Sequence, residues 1–208
     1  MRNQILKEPI TAVILSGGQA RRMGGEDKGL VTFSAKPMIS HVITVLESLH
    51  EPVDTVLINT NRPKGYAQFD LQIIEDKLKD DEGPLVGIEA GLASIENGYL
   101  LVVPCDTPLL TVEPILRLIK AVREQGAGCA VVHDGERMQT TLALFHVSQK
   151  PALDAYLSRG GRRLTTWYKE QSAIEVDCSD LKDDFTNINT LGDLQRAESL
   201  KAARDQLI

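Results

Sequence analysis

Short apolar runs alternate along the chain with segments whose apolar residues recur at helical spacing. The runs are nearly continuous at Ile10–Leu15, Val53–Ile58 and Tyr99–Val103, a pattern typical of strands covered on both faces of a parallel sheet. Helical spacing follows Pro37, and it follows again after Thr111, which we expect to be the N-cap of its helix. Alternating strands and helices predict an α/β fold with right-handed crossovers.

Weaker signals extend this alternation to the rest of the chain. Further strands are predicted at Gln72–Glu75, Ala127–Val132, Thr141–Phe145 and Ala173–Val176, and further helices at Leu85–Ile95, Pro151–Leu157 and Thr190–Leu200. The stretch Asp134–Arg137 predicts a turn between two strands. Because no repeat or linker divides the sequence, we expect a single domain over residues 1–208.

Composition narrows the class of protein. The 208 residues are 42% hydrophobic and 25% charged, which is ordinary for a globular domain. A net charge of −6 argues against a nucleic-acid binder. The three cysteines suit neither a disulfide framework nor a zinc cluster, and no apolar stretch has the length of a membrane span, so we expect a cytoplasmic protein.

A glycine-rich, cationic segment directly follows the first predicted strand. It runs from Leu15 to Gly29 and contains three cations, Arg21, Arg22 and Lys28. Glycines beyond the carboxyl end of a strand let the backbone approach a ligand, and the cations suit phosphate oxygens. The spacing matches neither a P-loop nor a dinucleotide-binding fingerprint. The alternative interpretation is a surface loop with solvated charges.

Polar residues also follow three other predicted strands. Asp106 comes after the run Tyr99–Val103, where it suits a magnesium ligand and equally a turn or helix-capping aspartate. Asp76 ends another strand and could be a solvated loop acid. Asn59 can donate to and accept from a base or a ribose, or simply terminate its strand.

Two segments of the second half carry further candidates. In the stretch Asn187–Thr190, the side chains of Asn187 and Asn189 share one face if the segment is extended, and Thr190 is a candidate helix cap. Arg163 lies in a basic pair after two glycines, which could meet a second phosphate or form a solvated turn.

The run LSGGQARRMGGEDKG resembles the signature of the molybdenum cofactor guanylyltransferases, the MobA-type members of a nucleotidyltransferase group. The similarity continues through INTNR, IED, GPLVG, PCDTP and NINT, in the order that this family has them. The resemblance implies a three-layer, Rossmann-like fold with a mostly parallel sheet and helices on both faces, as in nucleotide-diphospho-sugar transferases. It also implies a nucleotide-binding half at about residues 10–110 and an acceptor half at about residues 111–208.

The same resemblance implies transfer of GMP from GTP to the terminal phosphate of molybdopterin, with release of pyrophosphate. Arg22, Lys28 and Asp106 would be catalytic, with Asp106 holding Mg²⁺, or Mn²⁺ in its place. The implied nucleotide- and pterin-binding residues are Leu15, Ser16, Gly17, Gly18, Lys28, Asn59, Asp76, Gly83, Gly87, Asp106, Arg163, Asn187 and Asn189. Expected partners are GTP, molybdopterin, other cofactor-assembly proteins and target apo-enzymes.

Two other functions remain open at this point. A related nucleotidyltransferase would use CTP or a sugar-phosphate acceptor, although the pair Gly17-Gly18 resembles the guanine-using branch. A non-catalytic adaptor would bind the nucleotide or the pterin without turnover. The chain departs from the family at Ser16, where alanine is usual, and at Thr140 and Leu191, where proline is common.

Overall fold

A computed structural model describes residues 8–17, 27–49, 53–77 and 83–206 of the chain. The strands are Ile10–Leu15 (β1), Thr32–Phe33 (β2), Lys36–Pro37 (β3), Thr55–Asn59 (β4), Gln72–Ile74 (β5), Tyr99–Pro104 (β6), Cys129–His133 (β7), Met138–His146 (β8) and Ile174–Asp177 (β9). The α-helices are Met38–Glu47 (α1), Pro63–Tyr66 (α2), Pro84–Ala93 (α3), Glu113–Gln125 (α4), Lys150–Ser158 (α5), Leu164–Glu170 (α6) and Leu191–Asp205 (α7).

One seven-stranded sheet runs through both halves of the described chain, in the order β5-β4-β1-β6-β8-β7-β9. Neighbouring strands are parallel except where β8 pairs with β6 and with β7. The carboxyl ends of the other six strands therefore share one edge of the sheet with the amino end of β8. This edge, which we call the carboxyl edge, is where open α/β sheets bind ligands.

Helices cover both faces of this sheet. Successive residues of β1 belong to opposite cores: Ala12 and Ile14 pack in the cluster that includes residues of α1 and α4, whereas Val13 packs in the cluster that includes residues of α3, α5 and α6. This two-sided burial explains the continuous apolar runs, because each strand needs apolar side chains on both faces. The predicted three-layer α/β fold is confirmed.

The last helix packs in a smaller third cluster. Ala197 of α7 belongs to this cluster together with Phe33 of the β2–β3 hairpin, Leu109 and Ile188. The buried carboxylate of Asp184 reinforces the packing, since it accepts hydrogen bonds from Thr111 and from the Arg204 guanidinium. The C-terminal helix is thereby fixed next to the loop that follows β6.

The structure corrects one predicted cap and adds elements that the pattern did not indicate. Thr111 is not the N-cap of α4: its hydroxyl donates to Asp184, and Val112 occupies the N-cap position. The hairpin β2–β3 and the helices α2 and α6 are too short to show a period. The turn at Asp134–Arg137 is confirmed by a hydrogen bond from Asp134 N to Arg137 O of 3.1 Å. No helix in the described ranges combines the length and apolar composition that a bilayer crossing needs.

Candidate active site

Three strands end side by side in the middle of the carboxyl edge. Leu15 of β1 is in register with Asn59 of β4 on one side and with Pro104 of β6 on the other. The backbone continues this ladder for one more step, since Ser16 N donates to Asn59 O over 2.9 Å and Cys105 N donates to Leu15 O over 3.2 Å. These contacts bring the start of the glycine-rich segment next to the residues that follow β4 and β6.

The Lys28 ammonium connects the two halves of the chain at this edge. Its Nζ donates to Oδ2 of Asp106, to Oδ1 of Asn187 over 3.1 Å, and to Oδ1 of Asn189. A lysine ammonium has three N–H donors, so these three acceptors use all of them. We call Lys28, Asp106, Asn187 and Asn189 the Lys28 cluster. It unites four of the residues expected to form the site.

Local geometry explains why both asparagines reach Lys28. Ile188 is buried between them, and its backbone N–H donates to Asp106 O over 3.0 Å, which holds the segment beside the loop after β6. Alternation then places the two amides on one face, as predicted. Immediately afterwards Thr190 caps α7 in a reciprocal capping box with Asp193, which confirms its predicted role.

The two carboxylate oxygens of Asp106 differ in their contacts with the described residues. Oδ1 is buried and has no hydrogen-bond partner among the described residues, whereas Oδ2 accepts from Lys28. An unpartnered buried carboxylate oxygen is unfavourable, because it has lost its hydration. Asp106 therefore offers a desolvated anionic oxygen to a ligand, and this arrangement does not fit the alternative in which the side chain caps a helix or a turn.

A buried tyrosine fixes the backbone from which Lys28 extends. The Tyr66 hydroxyl donates to Oδ1 of Asp27 over 2.6 Å. Burial raises the pKa of the Asp27 carboxyl above its usual value, while the bond from Tyr66 acts in the opposite direction. Gly29 leaves room for this arrangement, since a Cβ there would lie 2.7 Å from the tyrosine oxygen.

A second polar network surrounds Asp76, beyond the end of β5. Its Oδ1 accepts from Asn59 Nδ2 over 2.9 Å, and its Oδ2 accepts from Asn61 Nδ2 over 2.8 Å. The backbone N–H of Asp76 returns a bond of 3.1 Å to Asn61 Oδ1. Asp76 is thus held in place by two amides, so it is not the freely solvated loop acid of the alternative interpretation.

Two glycines at the start of α3 let this helix lie close to the hydrogen-bond network around Asp76. Gly83 is the N-cap residue and has a φ of +121°, in the region that favours glycine. A Cβ on Gly87 would lie 2.3 Å from Asn59 Oδ1 and 2.8 Å from Leu15 Cδ2. Any side chain at Gly87 would therefore displace the amide that holds Asp76.

The remaining predicted residues are only partly placed. Gly18 and Arg22, like Arg21, lie outside the described residues. Arg163 is exposed at the N-cap of α6, and its backbone exchanges hydrogen bonds with the Tyr156 hydroxyl. No described hydrogen bond joins its side chain to the Lys28 cluster, so its proposed phosphate contact stays a prediction.

Comparison with known proteins identifies the family. The family model described as the MobA-like NTP transferase domain matches residues 12–174. A molybdenum cofactor guanylyltransferase of Pasteurella multocida is 44% identical over 186 residues, covering 89% of this chain and 97% of that protein. A protein of the same name from Shewanella putrefaciens is 40% identical over 188 residues, covering 90% and 95%. The chain belongs to the MobA-like NTP transferase family.

Membership of this family makes the chain a nucleotidyltransferase and confirms the resemblance. Solved structures agree on the fold. The molybdopterin-guanine dinucleotide biosynthesis protein A of Archaeoglobus fulgidus superposes with a TM-score of 0.75 at 24% identity, covering 93% of this chain and 99% of that one. A 4-diphosphocytidyl-2C-methyl-D-erythritol synthase of Anaerococcus prevotii gives a TM-score of 0.73 at 12% identity.

Within this MobA-like fold, sequence reasoning missed the residues that hold the ligand-facing groups in place. Asn61 could have been predicted from the sequence. It lies two residues after Asn59, and in an extended segment the two side chains share one face. Asp27 and Tyr66 carried no signal, since their contact spans 39 positions and depends on the folded path of α2.

Proposed function

We propose that this chain transfers GMP from GTP to the terminal phosphate of molybdopterin, forming the guanine dinucleotide form of the cofactor and releasing pyrophosphate. The names of relatives about 40% identical over nearly their whole length support the choice of substrates. The structural observation that carries the proposal is the Lys28 cluster. One ammonium joins Asp106, in the predicted nucleotide half, to Asn187 and Asn189, in the predicted acceptor half.

The reaction is a displacement at the α-phosphorus. An oxygen of the molybdopterin phosphate forms the new bond to that phosphorus, the bond to the β-phosphate oxygen breaks, and its electron pair leaves with pyrophosphate. The nucleophile is already an anion, so the protein needs no strong general base. Catalysis then depends on alignment and on neutralising phosphate charge.

The donor set at Asp106 suits a magnesium ion. Its Oδ1 is buried and unpartnered among the described residues. Mg²⁺ takes one or two protein carboxylates and completes its shell with phosphates and water, so a single carboxylate of this kind is a sufficient protein ligand. When bound, Mg²⁺ would neutralise developing charge on the phosphates. We propose Asp106 as its protein ligand, with Mn²⁺ as an alternative ion.

Lys28 has two tasks in this proposal. It balances the Asp106 carboxylate and orients Asn187 and Asn189, and it supplies positive charge beside the phosphates together with Arg22. Because all three of its N–H donors are engaged, an incoming phosphate must exchange with one of these acceptors. The weaker contact, to Asn187 at 3.1 Å, is the one we expect to exchange.

The exposed backbone of Gly17 suits a nucleotide at the end of β1. An ideal Cβ there would meet no atom of the described residues within 4 Å, its chain neighbours aside. The described residues leave open space at this position, and a glycine there lets a ligand approach the backbone closely. Leu15, Ser16 and Gly17 would then cradle the nucleotide, while Asn59 and Asp76 lie at the neighbouring strand ends.

Pyrophosphate release tests the proposal. Purified protein is supplied with Mg²⁺, molybdopterin and one of GTP, CTP, ATP or UTP, with reactions lacking the pterin as controls. We expect release with GTP alone and only when molybdopterin is present. Release with CTP would move the protein to the cytosine-using branch. Confirmed GTP binding without release under any condition would contradict the transferase activity and favour the adaptor.

Three expectations from the sequence stay predictions. They are a cytoplasmic location, contacts with other cofactor-assembly proteins, and delivery of the product to target apo-enzymes. The contacts of Arg163, Asn187 and Asn189 with the pterin also remain part of the proposal.

A further inference from the structure

We propose that Asn61 is a positioning residue: it orients the Asp76 carboxylate so that this group accepts hydrogen bonds from the nucleoside part of the nucleotide. The inference rests on the proposed function, because it assumes that a nucleotide binds at this edge. It assigns a role to a residue that makes no part of the Lys28 cluster.

The hydrogen bonds around Asp76 are reciprocal. Asn61 Nδ2 donates to Asp76 Oδ2 over 2.8 Å, while Asp76 N donates to Asn61 Oδ1 over 3.1 Å. One side chain therefore fixes both the backbone and the carboxylate of Asp76. The other carboxylate oxygen is fixed separately by Asn59, so the plane of the carboxylate is set by two amides.

The chain path beyond β4 presents both amides to the same side. Asn59 and Asn61 flank Thr60, which is buried and whose N–H donates to Ile74 O over 3.0 Å. This backbone bond ties the residue after β4 to the last residue of β5, so the sheet itself holds the two amides beside Asp76. The local geometry is a consequence of sheet register.

The two asparagines differ in solvent exposure, and this difference indicates different roles. Asn59 is 4% exposed and packs against Gly87, so its replacement would disturb the fold. Asn61 is exposed, and both described bonds of its side chain go to Asp76. The side chain of Asn61 thus orients the Asp76 carboxylate but buries little surface of its own.

The charge balance at Asp76 indicates which part of a nucleotide it meets. The two described partners of its carboxylate are neutral amides, and no described salt bridge involves Asp76. Within the part of the chain that the structure describes, no cation neutralises its negative charge, in contrast to Asp106, which pairs with Lys28. A full negative charge repels phosphates, whereas an ionised carboxylate accepts from neutral N–H and O–H donors. The nucleoside offers such donors on the guanine edge and on the ribose.

The two oxygens retain acceptor capacity for these donors. A carboxylate has about four lone-pair positions, and the two amides use one on each oxygen. Holding the plane of the carboxylate in advance reduces the ordering cost of binding. Loss of Asn61 should consequently weaken nucleotide binding without slowing the chemical step at Asp106.

The test compares Asn61→Ala with Asn61→Asp by calorimetric titration of GTP, using Gln68→Ala as the matched control. Gln68 is also an exposed amide, and its described bond goes to a backbone carbonyl, Gly65 O. We expect Asn61→Ala to raise the dissociation constant of GTP roughly three- to tenfold, the equivalent of one or two hydrogen bonds. Asn61→Asp should be worse, because it sets a second negative charge beside Asp76. Gln68→Ala should bind GTP normally.

Two further readouts separate positioning from a merely structural role. In an Asp76→Ala background, Asn61→Ala should cause little additional loss, because its effect passes through that carboxylate. Titration with inosine triphosphate, which lacks the 2-amino group, and with 2′-deoxy-GTP distinguishes base from ribose. If Asp76 contacts the 2-amino group of the base, Asn61→Ala should reduce the ratio of the affinities for GTP and inosine triphosphate. If Asp76 contacts the ribose 2′-hydroxyl, the ratio for GTP and 2′-deoxy-GTP should fall instead.

The failures are distinguishable. A parent protein that does not bind GTP would overturn the proposed function, and this inference with it. A parent protein that binds GTP and an Asn61→Ala variant that binds it equally well would overturn the inference alone. So would an equal loss in the Asp76→Ala background, or a lower melting temperature with unchanged discrimination among the three nucleotides.

Discussion

Lys28 and Asp106 form an ion pair although 78 positions separate them in the sequence. Both side chains are largely buried, at 16% and 11% exposure. The pair lies where the glycine-rich segment, the end of β6 and the segment before α7 meet. Its charge balance accordingly affects both the stability of the protein and its proposed chemistry.

Asp106→Asn should abolish most turnover while weakening GTP binding less. The amide keeps the shape of the side chain but cannot supply the anionic oxygen that we propose as the magnesium ligand. We expect kcat to fall by two to three orders of magnitude, on the scale of losing a main electrostatic contribution. Pyrophosphate release and GTP titration measure the two effects. Near-normal turnover at saturating magnesium would contradict the proposed role.

Lys28→Met should destabilise the protein because it leaves the buried Asp106 carboxylate without its cation. Removing one partner of a buried pair is costly, and partial exposure reduces the penalty to about 2 kcal/mol. Urea unfolding measures it. Lys201→Met is the control: it removes an ion pair with Asp205 on the surface of α7, and its cost should stay below about 1 kcal/mol.

The double variant Lys28→Met/Asp106→Asn checks the cause. If the penalty comes from an uncompensated charge, neutralising Asp106 should recover most of the lost stability. A double variant as unstable as the sum of its parts would instead point to lost contacts with Asn187 and Asn189.

Gly17→Ala should weaken GTP binding and leave the fold intact. A Cβ at this position meets no described atom within 4 Å, its chain neighbours aside, and Gly17 is not among the described glycines with positive φ. The melting temperature should therefore match that of the parent protein, while the dissociation constant for GTP rises roughly tenfold because the methyl group occupies space meant for the ligand. Gly192→Ala, in the exposed first turn of α7, is the control. Unchanged GTP affinity in Gly17→Ala would argue against a nucleotide at the end of β1.

Tyr66→Phe should destabilise the protein more at pH 7 than at pH 4. Burial raises the pKa of Asp27, so its charged form costs stability that is regained as the pH falls through the raised pKa. The Tyr66 hydroxyl partly offsets this cost by donating to the carboxylate. Its removal should cost about 2 kcal/mol when Asp27 is ionised, and about 1 kcal/mol when the carboxyl is neutral.

Urea unfolding at the two pH values measures this difference, with Tyr156→Phe as the control. The Tyr156 hydroxyl donates to the backbone oxygen of Arg163 over 3.0 Å, an acceptor that does not titrate. Its loss should be the same at both pH values. A pH-independent loss for Tyr66→Phe would show that Asp27 does not carry the effect.

The fold was largely accessible from the sequence because burial on both faces leaves a direct pattern. Continuous apolar runs located β1, β4 and β6 to within about two residues, and helical spacing located α1 and α4. Where an element is shorter than its own period, as in α2, the pattern has nothing to repeat. The N-cap of α4 was misplaced because Thr111 has a tertiary partner, Asp184, that competes with the local capping bond.

The sequence predicted which residues form the candidate site, but not most of the contacts between them. Motif order named Lys28, Asp106 and the two asparagines, and the extended alternation around Ile188 predicted that the asparagines share a face. The sequence could not show that a single ammonium contacts all three acceptors. This arrangement depends on how the third apolar cluster positions α7. The positioning of Asp76 by Asn61 depends likewise on the register of β4 against β5.

The contacts of Lys28 with Asn187 and Asn189 span 159 and 161 positions, which has a consequence for the order of events during synthesis. A chain grows from its amino end, and early segments can fold before later ones exist. Strands β1, β4, β5 and β6 can pair while Asn187 and Asn189 have not yet been synthesised. During that interval Asp106 is available to Lys28, whereas both asparagines are still missing. We therefore expect the site to be completed late in folding, after the strand ends proposed to hold the nucleotide have formed and before the acceptor substrate can bind.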